Sequence, residues 1–218
     1  MALSTYATLK TAVASYLERT DLTAQIVDAI TLAQSKMYRG VMNLDGRTWR
    51  IPPLRVRDMI TTANITITSG AGSLPSGWLE SVRLWPGGTD EPDLEYLPPQ
   101  DFYKYAGAHQ TSGTITGYTI EGSTIRTLPA ASDTIASVHY AIFTAMSADA
   151  DHDWIVDNAP HVYLYGALAE AWGFIGGNDN EQMKYEGMFA QAIHGLNAQY
   201  GQAQRSGSSL IMRPKAVV

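Results

Sequence analysis

Apolar side chains recur at two different spacings along this chain, and the spacing changes twice, giving a helical start, a strand-rich middle and a helical end. Tyr6, Leu9, Val13, Tyr16 and Leu17 recur at helical spacing behind a Ser4 or Thr5 cap. Ile26, Ile30, Ala33 and Met37 repeat the pattern behind Asp21 and ahead of Gly40. This predicts a helical hairpin. Two helices with one apolar stripe each cannot bury both stripes fully on one another, so further helices must cover them.

Between Trp49 and Phe143 the helical pattern gives way to prolines at 52, 53, 75, 86, 92, 98, 99 and 129, and to alternation such as Asn64-Ile65-Thr66-Ile67-Thr68. Strands are predicted at 59–68, 79–85, 93–97, 115–121, 123–128 and 134–143, with Glu121-Gly122-Ser123 as a tight turn. Val138, Tyr140 and Ile142 share one face of the last strand. These strands predict a small antiparallel sandwich or barrel-like sheet. Pro98-Pro99-Gln100-Asp101, followed by Phe102, Tyr103 and Tyr105, predicts one short helix within it.

The helical end opens with Asp157-Asn158-Ala159-Pro160, an Asp/Asn cap with proline in the first turn, and runs through Val162, Tyr163, Leu164, Ala167, Leu168, Ala171 and Trp172. Gly176-Gly177-Asn178-Asp179 breaks it, and a last helix carrying Met183, Phe189, Ile193, Leu196 and Tyr200 continues to residue 203. Gln204 to Ser209 read as a flexible linker, and Leu210 to Val218 as an apolar, basic tail too short to fold alone. The expected fold class is therefore α+β. A four-helix bundle from the two terminal hairpins (1–48 and 148–203) carries an inserted β-rich domain (49–147) and an extended tail (204–218).

Composition narrows the chemistry more than the fold. With 218 residues the chain hides roughly 70% of its unfolded surface on folding and needs no staple. It has no cysteine, which excludes disulfides, thiolate zinc sites and cysteine nucleophiles. Apolar runs break well before the ~18 residues of a membrane helix, and the start lacks a signal-peptide pattern, so the expected site of synthesis and folding is a cytoplasm, with no membrane partner. A net charge of −6 argues against broad nonspecific binding to nucleic acid.

Few residues offer catalytic chemistry. Asp149, Asp151 and Asp153 alternate as at the start of a calcium loop, but Trp154 and Pro160 stand where that loop needs glycine and glutamate. The segment reads as a solvated acidic linker, with a weak cation site as the alternative. His109, His139, His152, His161 and His194 show no zinc spacing and read as surface or satisfied histidines. No nucleophile elbow, Walker loop or dinucleotide-binding glycine pattern occurs. No cofactor is expected. The five tryptophans and twelve tyrosines read as core or interface residues unless they cluster on one sheet face, which would suggest sugar binding.

Charge is unevenly placed: residues 149–186 hold eight acids and one lysine, and no acid follows Glu186. The tail is then either a disordered basic end or a docking segment, with Leu210, Ile211 and Met212 as anchors and Arg205, Arg213 and Lys215 as charge contacts. Pro214 bars a helix through that point and favours extended binding.

Three segments carry a resemblance. Ala33-Gln34-Ser35-Lys36-Met37-Tyr38-Arg39, Leu74-Pro75-Ser76-Gly77-Trp78-Leu79-Glu80, and Asn158 to Ala171, which holds Pro160, Tyr163, Leu164, Ala167, Leu168 and Ala171, together resemble the head-to-tail adaptor proteins of tailed bacteriophages. Thr127-Leu128-Pro129-Ala130-Ala131 also fits that family's pattern, and the likeness covers residues 3–200. The resemblance implies a noncatalytic virion protein at the head-tail interface, assembled in the host cytoplasm. It implies a closed ring of roughly twelve copies below the portal, continuing the channel for the genomic DNA. It also implies a platform for a nozzle, stopper or tail tube, with the C-terminal extension touching the portal. Two other readings stay open: a carbohydrate-binding or glycan-cleaving sandwich domain of a phage tail, and a stopper or tail-terminator ring protein. Physically, Leu74-Pro75 ends a strand and Gly77 permits a turn that tucks Trp78 into the core. Tyr163, Ala167 and Ala171, four apart, let a neighbouring helix approach beside Leu164 and Leu168.

Overall fold

A computed structural model describes residues 3–87, 92–106, 112–176 and 179–203. The chain is α+β and divides into two compact units, one made of residues 1–57 and 144–218, the other of Asp58–Phe143.

The first unit begins with helix α1 (Tyr6–Leu17), which Thr5 caps in a reciprocal box with Thr8. Tyr6, Leu9, Val13 and Leu17 are buried, whereas Tyr16 points outward, one position off the stripe assigned to it. Helix α2 (Thr23–Arg39) buries Ile26, Ile30, Ala33 and Met37, and ends at Gly40. Asp21 does not cap it: Leu22 holds the cap position without a side-chain bond, and Asp21 instead accepts both hydrogen bonds of the Arg19 guanidinium. Strands β1 (Val41–Met42) and β2 (Trp49–Ile51) then form a hairpin, and the chain stays with this unit through Arg57.

The second unit follows a 3-10 turn at Arg57–Met59. Its strands are β3 (Ile60–Ile67), β4 (Ala71–Ser73), β5 (Trp78–Pro86), β6 (Glu95–Tyr96), then, after helix α3 (Pro99–Ala106), β7 (Gly117–Glu121), β8 (Thr124–Leu128) and β9 (Asp133–Ala141). Two open sheets result, ordered β3-β9-β5 and β4-β8-β7-β6. No described sheet closes, so the barrel-like alternative is not realised, and the β6–β7 pair is parallel in an otherwise antiparallel arrangement. Ile65, Ile67, Leu84 and Ile135 from one sheet meet Tyr118 and Ile125 from the other in a single core.

In β9 the face carrying Val138 and Tyr140 is half-buried, while the fully buried face is Ile135, Ser137 and His139. Polar residues can sit there because each is satisfied. Ser137 Oγ donates to the Ala63 carbonyl at 2.8 Å and lies 3.2 Å from His139 Nδ1, and the His139 ring stacks on Trp78 with centroids 4.1 Å apart.

The chain returns to the first unit through α4 (Trp154–Asn158), α5 (Pro160–Ile175) and α6 (Asp179–Ala203). Helix α5 packs on α1, α2, α4 and α6. It is apolar nearly all round, the pattern of a helix covered on several sides rather than along one stripe. Helix α6 contributes Phe189 and Ile193 to the core, but Met183, expected on its apolar face, is exposed.

Candidate functional site

The segment from Asp149 to Ala171 is where sequence motifs and structure converge. Asp149, Asp151 and Asp153 alternate in sequence, but each is engaged by different partners. Lys10 Nζ pairs with the Asp149 carboxylate at 2.6 Å, and the carbonyls of Asp149 and Asp151 accept the Ala7 and Tyr6 amides at 3.0 and 2.8 Å. Those amides open helix α1 and have no partner within it, so the acidic segment closes the start of the first helix. The Asp151 carboxylate accepts the Ser147 and Ala148 amides, both at 2.7 Å, and these bonds hold its pKa below the usual aspartate value. Among the described residues no group of three or more acids or histidines is arranged to hold a metal ion.

Asp153 is buried. It caps α4 by accepting the Val156 amide at 2.9 Å and accepts the Tyr163 hydroxyl at 2.6 Å. Burial raises its pKa above the ordinary carboxylate value, and the bonds from Tyr163 and the backbone pull the other way. Tyr163 is itself buried, which pushes its hydroxyl pKa up and keeps it a donor, and Gln34 Nε2 donates to it at 3.3 Å. The first and third resemblance segments thus meet in space: Gln34 and Tyr38 of α2 face Tyr163 of α5, and Lys36 pairs with Glu170.

Asp157 and Asn158 do not cap α5, as the sequence suggested. They close α4, where Asn158 Nδ2 donates to the Trp154 carbonyl and Asp157 pairs with His152. The backbone breaks at Ala159 because Pro160 disfavours helical geometry in the residue before it and offers no amide of its own. Beyond the break Leu164, Ala167, Leu168 and Ala171 are buried. Closeness of packing is set not only by the Tyr163, Ala167 and Ala171 positions expected to admit a neighbouring helix but by Gly166 within the same motif: a Cβ there would lie 2.8 Å from Ala33 Cβ and 3.0 Å from the Phe189 ring.

In the second unit, Leu74-Pro75 leaves β4 and Gly77, at φ +75°, turns the chain into β5. Trp78 is half-buried and lies against the core rather than within it, covering His139. Beside this loop is a groove of about 670 Å³ lined by Trp78, Glu80, Tyr96 and Ile120 among others. Thr127 and Leu128 are buried, and Ala131 packs on the core. The tail residues Arg205, Leu210, Ile211, Met212, Arg213, Pro214 and Lys215, and His109, lie outside the described residues. No described helix is long and apolar enough to cross a membrane.

The residues in these motifs cap, pack and turn: Asp151 and Asp153 are bonded to backbone amides and, for Asp153, to the Tyr163 hydroxyl, while Asp149, Asp157 and Glu170 are paired with Lys10, His152 and Lys36. That defines a two-unit α+β protein whose distinguishing segments are architectural. The family model of the SU10 adaptor protein matches residues 4–214, spanning both units, and the chain belongs to that family of phage head-to-tail adaptors. No curated protein shows significant similarity to it.

Proposed function

We propose that this protein is a noncatalytic, ring-forming adaptor of the virion, which attaches to the portal, extends the DNA channel and offers a platform to the next tail component. The single observation that carries this reading is the family match over residues 4–214. Supporting it, α1, α2 and α4 to α6 fall in one unit while seven of the nine described strands fall in another, in keeping with a helical domain that carries an inserted β-rich one. In the assembled ring, closed by cyclic symmetry and of roughly twelve copies as the family resemblance implies, residues 204–218 run along the portal in extended form. Leu210, Ile211 and Met212 anchor there, and Arg205, Arg213 and Lys215 meet acids. A net charge of −6 suits a channel through which DNA slides, because tight phosphate contacts would hold it. Assembly takes place in the host cytoplasm and the protein ends at the head-tail interface.

No specific observation favours the glycan reading. The groove beside the Leu74 loop offers one tryptophan and one carboxylate, Glu80, rather than a carboxylate pair across a cleft. A stopper or terminator differs from an adaptor in what it touches. The experiment is therefore capture of the full-length protein on immobilised portal of the same phage, beside a chain lacking residues 204–218. The adaptor reading expects the first to bind and the second to remain folded but lose most of its binding. Capture by tail-tube protein and not by portal would replace the reading with that of a terminator.

A further inference from the structure

The turn between β1 and β2 holds the one Asp-Gly pair in the sequence, Asp45-Gly46, and the sequence has no Asn-Gly. Such a pair can react with itself. The Gly46 nitrogen attacks Asp45 Cγ, a new N–C bond closes a five-membered succinimide, and the carboxyl hydroxyl leaves as water with the amide proton. Water then opens the ring at either carbonyl. Opening at Cγ restores aspartate, whereas opening at the main-chain carbonyl leaves the backbone running through the side chain, as isoaspartate. Water is the only other reactant, lost in the first step and regained in the second. Glycine favours the reaction because it has no side chain to hinder the attack and reaches backbone angles that other residues avoid.

Both residues are exposed, and a Cβ on Gly46 would meet nothing within 4 Å, so no neighbour obstructs the ring. What stands in its way is the turn's own bonding. The Gly46 amide, the nucleophile, donates to the Asn43 carbonyl at 2.9 Å while the residue takes φ +63°. The Asp45 carboxylate, the electrophile, accepts the Arg47 and Thr48 amides at 2.9 and 3.2 Å and the Thr48 hydroxyl at 3.0 Å. Those bonds hold its pKa below the ordinary aspartate value, whereas the neutral carboxyl is the form that loses water. From the other side of the loop, Asn43 Nδ2 donates to Thr48 Oγ1 at 2.8 Å and the Asn43 amide donates to the Thr48 carbonyl at 2.9 Å. The reaction therefore waits on local opening of the turn, and its rate scales with the open fraction.

We propose that Asp45 is this chain's site of spontaneous isoaspartate formation, and that the hydrogen bonds of residues 43–48 hold it unreacted in the folded protein. Conversion adds one main-chain carbon to the tip of a hairpin whose strands pair at Val41–Ile51 and Met42–Trp49. Behind the tip Arg50 pairs with Glu186 and Ile51 is buried, so a change in loop length acts on an anchored strand.

The test holds full-length protein at neutral pH and physiological temperature, folded in buffer or unfolded in urea, beside full-length Thr48→Val and Asp45→Glu. Rapid tryptic digestion releases residues 40–47 as one peptide, whose isoaspartyl form has the same mass and separates by chromatography. Methyl transfer by an isoaspartyl methyltransferase identifies that form. The folded wild type is expected to convert several-fold more slowly than the unfolded chain. Thr48→Val, which removes the hydroxyl shared by Asp45 and Asn43, should convert several-fold faster than the wild type at unchanged circular dichroism. Asp45→Glu, whose ring would be six-membered, should reduce isoaspartate to background. Equal folded and unfolded rates, a Thr48→Val rate equal to that of the wild type, or isoaspartate arising first at another residue would each overturn the proposal. The comparison of folded with unfolded wild type decides the matter even where a variant fails to fold.

Discussion

Replacing Tyr163 by phenylalanine tests whether the Asp153–Tyr163 contact holds the helical unit together. The change removes one oxygen from a buried ring and leaves the packing volume nearly intact, so the lost energy is that of its hydrogen bonds. The bond to the Asp153 carboxylate, at 2.6 Å, is charge-assisted and worth about 1.5–3 kcal/mol. Gln34 loses a weak acceptor at 3.3 Å, and Asp153 keeps the Val156 amide. An expected loss of about 2 kcal/mol follows, against under about 0.5 kcal/mol for Tyr165→Phe, whose half-buried ring makes ring contacts. The loss should depend on pH. Asp153 has a raised folded pKa, so the folded state keeps its proton longer than the unfolded chain, and its contribution to stability declines as pH rises through the folded value. Without the Tyr163 hydroxyl that pKa rises further. The deficit of Tyr163→Phe is therefore greatest at neutral pH and narrows as pH falls towards 3.8, the ordinary aspartate value. Urea unfolding followed by far-ultraviolet circular dichroism, which reads the helices, measures both effects. A deficit below about 0.5 kcal/mol at every pH would refute the argument.

Three further outcomes are expected. Gly166→Val forces two extra methyl groups and a Cβ into space already occupied by Ala33 and Phe189, costing about 2 kcal/mol or more and lowering the thermal midpoint. His139 has its pKa lowered by burial, so its contribution is present above 6.5, the ordinary histidine value, and is lost as pH falls through the folded value. The protection factors of β9 amides, which take each exchange rate against the intrinsic rate at the same pH, should accordingly fall on acidification in the wild type and not in His139→Gln. The purified protein should not retard duplex DNA in a gel at physiological salt, given its charge of −6; a stable shifted band would contradict a channel without a phosphate-binding belt.

Much of this architecture was legible in the sequence because periodicity is a direct consequence of burial. The stripes of α1 and α2, the alternation around Ile65 and Ile67, and the small-residue run of α5 each report the face they bury. Where the sequence misled, a local signal had a nearer competitor. Asp157-Asn158-Ala159-Pro160 has the form of a cap, but Asp153 starts a separate short helix first, and proline then restarts the chain. Asp21 was claimed by Arg19. Period two identified the faces of β9 but not which lies inward, because Ser137 and His139 are buried through specific hydrogen-bonded and stacked partners. The 41–51 hairpin was missed although Asp45-Gly46 is a turn signal, since its strands are two and three residues long. Gly166 was hidden in a run of good helix formers, as close packing between helices depends on residues distant in sequence.

The central claim is that this protein becomes a ring on the portal. Native mass measurement of the dilute full-length protein, alone and mixed with the portal of the same phage, tests it most directly. Alone, the protein is expected as a single 23.7 kDa species and, with portal, as one discrete complex carrying a full ring of copies and no populated lower stoichiometries. A protein that forms the same ring without portal, or a mixture with no complex at all, would contradict it.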